Sequence, residues 1–588
     1  MDRNTIIALV LILLIWLLWP KWMEWTGGKP KPSERASTVQ SGADTASAWK
    51  EDSTARVERI IEGQAEAATS SQPSPEHATG TRPLGDTAVV RTIAVSTPKY
   101  EATVSSRGAA LRAVELKDYV QPDGRPVALL PSDGQGMGVL VGSAGKETDL
   151  RRRAFSTDAE RDRYAIADGD SVTIGFTYAL LGGHTVYERY TFRGSRYTVG
   201  FRAGFLDSLH SERIVLTWKG HVPDAEGNFA RSIAQMKAEA YVGGSLETLH
   251  TPNKSDSSNF VGQTDWVGIR NKYFLAAFAP SNVERWDVTL RGHGLSNQFV
   301  DYSWSIVPFD VTRSQIEGDL YLGPINVGIL AAAGHNFDQG ADLGWAVIRP
   351  ISKGIYWLFI QMHRIIPNYG WVVVIFSVLV KIVLHPLTKK SLESTAKMQK
   401  LKPLMDEIRE KYKNDQQRMN QEMLKLYKEH GFNPLGGCLP MLLQMPIIFA
   451  VYAVLANIEF RQARFIWWIS DLSAPDVVAT VPFSVPFYGS HVSVLPVLMA
   501  ISMFIQQKLT ITDPKQKMLV YIMPVVMLFI FNNLSSGLVL YWLMFNILSS
   551  AHQFWLMRRQ PELAEDNASE RPAPVAITTK NPTRRRKR

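Results

Sequence analysis

A lysine stands where an amine is costly. The stretch Trp371–Lys390 reads WVVVIFSVLVKIVLHPLTKK, and Lys381 lies within its apolar part, ahead of the basic border at Lys389 and Lys390. In hydrocarbon an ionised side chain costs roughly 2.5–3.5 kcal/mol on insertion scales. Lys381 therefore either snorkels its long stem to the nearer interface or faces something wet between helices. Its neighbours favour the second reading. Ser377 is one helical turn away on the same face, Gln444 is polar inside the next apolar run, and Pro440, Pro446 and Pro524 release backbone carbonyls that need wet or protein partners. Each alone suits ordinary helix packing. Together they describe a hydrated cavity holding one positive charge, whose chemistry is attraction of polar or acidic groups.

Bond-making chemistry has no comparable support. The histidines form no H-E-x-x-H pair, there is no G-x-S-x-G elbow, and a single cysteine, Cys438, makes neither a thiolate metal cage nor an internal disulfide. GSAGKE at Gly142 lacks the first glycine of a phosphate loop and has Glu147 where Ser or Thr would hold magnesium. LGGC at Leu435–Cys438 resembles a lipoprotein cleavage box but stands in mid-chain. No catalytic residue, cofactor or metal is expected, and the chain is not read as an enzyme.

The elements that must position this cavity come from hydropathy and charge. With 588 residues, 45% hydrophobic content and net charge +9, the chain mixes membrane and soluble parts. Residues 1–26 carry the apolar run Ile6–Trp19 with no A-x-A-like site after it, which predicts an uncleaved transmembrane anchor. Residues 27–88 are rich in Pro, Ser, Ala, Glu and Thr and predict a disordered tether. From 89 to 340, short alternating runs such as YTVGFRAGF and RIVLTW predict an antiparallel β-sandwich. Residues 351–366 place Ile355, Leu358, Phe359, Met362, Ile365 and Ile366 on one helical face, fitting a helix lying flat in the membrane interface. A core helix of the β domain is the alternative.

The remainder, 367–558, predicts five crossings at about 369–388, 435–458, 491–507, 518–531 and 537–556, which with the anchor make six. Between the first two of these five, residues 389–430 predict a helical hairpin with a narrow apolar stripe, turning at Asn414-Asp415. Pro403 there suits the first turn of a helix better than an interior. The hairpin carries eleven Lys and Arg and the 459–490 loop only Arg461 and Arg464, so the positive-inside rule puts hairpin and termini in the cytoplasm and the β domain outside. The tail, 559–588, ends in Arg584, Arg585, Arg586, Lys587 and Arg588. It suits ribosomal RNA through phosphate attraction, or serves as a topology signal or lipid contact.

The order WVVVIFSVLVKIVLHPLTKK, NPLGGCLPMLLQMPIIFAVY, SGLVLYW resembles the YidC family of bacterial membrane protein insertases. The resemblance runs over 350–558. It implies a polytopic α-helical protein with a five-helix insertase core, and the β domain is similar to the periplasmic supersandwich of Gram-negative members. It further implies a hydrophilic groove open to cytoplasm and lipid but closed outside, whose positive residue draws in the acidic or polar end of a client. That role falls on Lys381, where the family usually has arginine; Ser377 stands where threonine is common and Trp542 where tyrosine is common. The implied groove set is Lys381, Ser377, Gln444, Trp542, Pro440 and Pro446. The implied partners are nascent membrane proteins, the ribosome, the Sec translocon, the signal recognition particle with its receptor, and membrane lipids, all at the bacterial inner membrane. A transporter or channel would also bury a charge, but no second half echoes 371–458 as paired broken helices would require.

Overall fold

The computed structural model describes residues 89–588 except 131–135, 144–145, 181–182, 207–212, 228–231, 282–283, 296–298, 311–314, 431–438, 486–487, 511–516 and 567–588. The expected anchor, tether and Arg584–Arg588 cluster lie outside the described residues, as does the LGGC stretch. The chain divides into two compact units, one running to Trp345 and one from Ala346.

In the first unit the alternating runs form strands. Tyr197, Val199, Phe201, Ala203 and Phe205 are all buried, and strand Thr198–Phe205 pairs with Thr185–Arg193 on one side and Gln315–Pro324 on the other. Two sheets result, of five and fourteen strands. Strand Ser255–Arg270 pairs through its first half with Arg285–Leu295 and through its second with Lys237–Val242 and Phe274–Pro280. It thereby carries the larger sheet from one face to the other. Aromatic rings join those faces: Trp218 stacks on Trp304 at 6.2 Å between centroids, Trp304 on Phe278 at 6.5 Å, and Phe278 meets Phe201 edge-on at 6.2 Å. The sandwich is not wholly antiparallel. Thr92–Ser96 pairs in parallel with Arg163–Ala165, which a long connection brings back alongside it. After Pro324 the unit closes with helix α1, Val327–Ala333, whose first turn is capped by the Asn326 side chain accepting from Ile329 N at 2.9 Å, so helix rather than strand fills the last part of 89–340.

The second unit is helical. Helix α2, Arg349–Ile365, buries Ile355 and Phe359 as its spacing predicts, but Ile365 is 83% exposed because the helix ends there and the chain turns at Ile366-Pro367. Helix α3, Tyr369–Lys411, corrects the expected break between crossing and hairpin: it is one helix of 43 residues with Pro386 and Pro403 inside it. Proline removes one helical hydrogen bond and crowds the carbonyl four residues back, which kinks a helix without having to end it. Asp415 caps α4, Gln416–Glu429, accepting from Arg418 N at 3.0 Å, and Leu401 and Met405 of α3 pack on Leu426 of α4. Helix α5 spans Leu439–Leu455, α6 Val494–Thr510, α7 Lys517–Phe531 and α8 Ser536–Asp566. Two boundaries move as a result. His491 belongs to a strand, Gly489–Ser493, paired with Val477–Val485 ahead of α6, and α8 runs on through residues assigned to the tail. Helix α2 packs on α5, and α8 on α3, α5 and α6, around a core that includes Phe359, Val373, Phe376, Val454 and Tyr541.

Among the described residues, one stretch, Tyr369–Pro386 of α3, is by itself long and apolar enough to cross a membrane. Gln444–Leu455, Val494–Lys508 and Val520–Phe531 are shorter apolar helices.

Candidate functional site

The polar residues of the helical unit gather at two levels. One is the end where α3, α6 and α8 begin. Asn368 starts α3, its side-chain oxygen accepting from Gly370 N at 2.9 Å while its amide donates to Arg464 O at 3.2 Å. Asp476 starts α6 by accepting from Val494 N at 3.0 Å and Leu495 N at 2.8 Å, supplying partners for two otherwise orphaned helix donors. Burial raises its carboxyl above the ordinary carboxylate range, partly opposed by those N–H groups. Ser536 starts α8, donating from Oγ to Asp471 O at 2.6 Å and from its backbone N to Ala474 O at 2.8 Å. Between α7 and α8, the amide of Asn532 donates to Tyr488 O and His491 O, both at 2.9 Å, and His491 Nε2 donates to Asn532 O at 2.8 Å. The Tyr356 hydroxyl of α2 donates to the Glu459 carboxylate, whose burial holds it above its ordinary range. The connections 456–493 and 532–535 are thus bonded across the helix ends. This end is a polar plug.

The second level is further along the bundle. Lys381 lies twelve residues past Tyr369 on α3 and Ser549 thirteen past Ser536 on α8, about 18 and 20 Å along their axes. At this matched depth the Lys381 ammonium donates to Ser549 Oγ at 2.8 Å and stands 5.0 Å from the centroid of the Phe545 ring, a cation–π distance. Beside them opens a cavity of about 390 Å³, lined by Val378, Lys381, Ile382, His385, Leu548 and His552. The imidazoles of His385 and His552 lie with centroids 4.9 Å apart, their planes tilted by 45°. The arrangement can hold and orient an anionic or hydrogen-bonding group. Among the described residues no three His, Cys, Asp or Glu side chains converge as metal ligands.

Two family models match, one described as the 60Kd inner membrane protein over residues 361–563 and one as the YidC periplasmic domain over 92–358. The membrane protein insertase YidC of Prosthecochloris aestuarii is 36% identical over 79% of this chain and 82% of its own. The chain belongs to the YidC family of membrane protein insertases. The insertase of Chloroherpeton thalassium is 33% identical over 98% of this chain and 99% of its own. A solved structure titled as an active YidC insertase with its first transmembrane domain resolved is similar at 20% identity, covering 80% of this chain and 94% of that one with TM-score 0.35. By these matches the first unit is the periplasmic β-rich domain and the second the inner-membrane insertase core.

Of the residues the resemblance put in a groove, Lys381 lines the cavity. The others are elsewhere. Ser377 is fully buried, its hydroxyl bonded back to Val373 O at 2.8 Å within α3, so it does not extend the polar face toward Lys381. Gln444 of α5 is buried against Tyr541 of α8. Trp542 sets its ring edge-on to Phe531 of α7 at 4.8 Å. Pro446 is inside α5, and Pro440 falls in its first turn. Sequence reasoning missed Phe545, Ser549 and His552, which share the α8 face toward Lys381, and His385, one turn beyond it. A signal existed: His385 and His552 each occupy the polar border of an apolar run.

Proposed function

We propose that this chain moves client transmembrane segments from the cytoplasm into the inner membrane by way of the Lys381 cavity, alone or together with the Sec translocon. One observation carries the reading. A single ammonium lines a cavity at mid-bundle, whereas the opposite helix ends are bonded shut by their own connections. An ammonium has three donors; Ser549 takes one and Phe545 faces another, leaving the cavity side for a client carboxylate. A client helix gains on the order of 25 cal/mol per Å² of apolar area on leaving water, while its polar flank meets a barrier in hydrocarbon. A short wet path with one charge lowers that barrier and needs neither fuel nor bond chemistry, so the activity is insertion rather than catalysis.

In this reading the chain crosses the membrane six times, with the 1–26 anchor, α3, α5, α6, α7 and α8. The short apolar helices are accommodated by packing and local thinning of the bilayer. Both termini and the α3–α4 hairpin face the cytoplasm, where eleven Lys and Arg in 389–430 fit the positive-inside rule. The plugged end is then periplasmic. Nascent membrane proteins, the ribosome, the signal recognition particle with its receptor and anionic lipids are partners suited to this basic face, with Arg584, Arg585, Arg586, Lys587 and Arg588 as RNA contacts. The test is insertion into proteoliposomes of a client with an acidic leading tail. Lys381→Ala is expected to abolish it and Lys381→Arg to preserve it; normal insertion by the alanine variant would sink the reading.

A further inference from the structure

We infer that His385 and His552 complete, with Lys381, a binding site for acidic client side chains whose occupation takes up a proton from the cytoplasmic solvent. The inference rests on the cavity's proposed role in insertion and adds two residues and a pH dependence to it. His385 follows Lys381 by one turn of α3, and His552 follows Ser549 by three residues on α8. Both therefore lie on the side of Lys381 away from the plug, where a client tail arriving from the cytoplasm meets them first. Their rings are 4.9 Å apart, and both line the 390 Å³ cavity with Lys381. That volume holds a carboxylate side chain with a few waters, each taking about 30 Å³.

Histidine is the side chain whose charge changes between about pH 5 and 8. The charged groups acting on His552 among the described residues are Lys381 and His385, both cationic when protonated. An acidic client side chain brings an opposite charge. It attracts a proton onto an imidazole nitrogen, and by linkage the proton strengthens its binding in return. One proton is taken from solvent on binding and returned when the client leaves for lipid; no other bond changes. The client carboxyl itself stays ionised down to about pH 4, so it can attract the proton throughout the range above that.

The test uses the full-length protein in proteoliposomes and two clients that differ only in Asp or Asn in the leading tail. The readout is the ratio of Asp-tail to Asn-tail insertion at pH 6 and pH 8. For the native chain this ratio is expected to rise roughly three- to tenfold at the lower pH, the scale of one ordinary net hydrogen bond. In the H385Q/H552Q chain most of this rise should be lost. In His552→Arg, whose charge is fixed, it should stay at the higher level at both values. Should the double variant fail to fold, His552→Gln and His552→Arg alone carry the comparison. A flat native ratio, or an unaltered pH response in the glutamine variants while Lys381→Ala still blocks the Asp-tail client, overturns the histidine site alone. Intact Asp-tail insertion in Lys381→Ala overturns the underlying reading of the cavity.

Discussion

At the plugged end of the helical unit four polar side chains are answered by backbone. Asp476 holds two N–H groups, Asn532 spans two carbonyls, Ser536 reaches Asp471 O, and His491 returns a bond to Asn532 O. At the cavity level the polar contacts are between side chains of two helices, Lys381 with Ser549 and His385 against His552, and they border open volume. Both regions place polar atoms within an apolar bundle, where an unmet group is costly. The difference lies in what completes them. Backbone partners fix a geometry permanently, whereas a side-chain cluster beside a cavity leaves room for a partner that comes and goes. On the proposed function, one region excludes and the other receives.

The sharpest way to break this contrast is access to water. With Cys438→Ser as background, single cysteines at Leu548 on the cavity and at Leu472 in the plug should behave oppositely toward a membrane-impermeant maleimide. In inside-out vesicles, which expose the cytoplasmic face, position 548 should label and position 472 should not. Equal labelling at both positions would mean that the plug does not close the bundle.

Stability should divide along the same line, with a smaller effect. Asn532→Leu removes the amide that donates to Tyr488 O and His491 O. Tyr488 O keeps the Asn533 amide at 3.3 Å, so one acceptor, His491 O, loses its side-chain donor, at a cost of about 1–3 kcal/mol. Ser549→Ala removes only one bond, from an amine that can turn to water in the cavity, and should cost at most about 1 kcal/mol. Thermal unfolding of the purified chain in detergent measures both. If the serine variant proves as damaging as the leucine variant, the cavity cluster is structural cement like the plug.

How legible these regions were in the sequence follows from the range of their contacts. Lys381 stands out because an amine within an apolar run has few explanations, and the alternation from Tyr197 to Phe205 declares a buried strand face by local spacing alone. Phe545, Ser549 and His552 do not declare themselves, since their meaning comes from α3 lying beside α8, 168 positions away in the pairing of Lys381 with Ser549. Ser377 is hard to read for the opposite reason: its hydroxyl is satisfied within its own helix by the carbonyl four residues back, a local bond that competes with any outward one. Pro403 suits the first turn of a helix, yet α3 absorbs it together with Pro386. The Val477–Val485 strand went unread because Pro482 interrupts its β-branched run and the neighbouring apolar helix dominated the hydropathy.

Protonation offers the finest separation of the two regions, and its sign can be worked out for Glu459. Burial raises this carboxyl above its ordinary value near 4.5, with the Tyr356 hydrogen bond drawing it partly back. The folded chain therefore holds the proton more tightly than the unfolded chain does. Its contribution to stability is fully present below the ordinary value and is lost as pH rises through the raised one. Glu459→Gln imitates the protonated acid, so the variant should match the native chain at low pH and exceed its melting temperature modestly above that window. The variant should also leave the pH dependence of Asp-tail insertion unchanged, because that response belongs to the cavity. Parallel melting curves for the two chains across pH 4–9 would show that Glu459 carries no such linkage. A shift in the insertion profile would show instead that plug and cavity titrate as one unit.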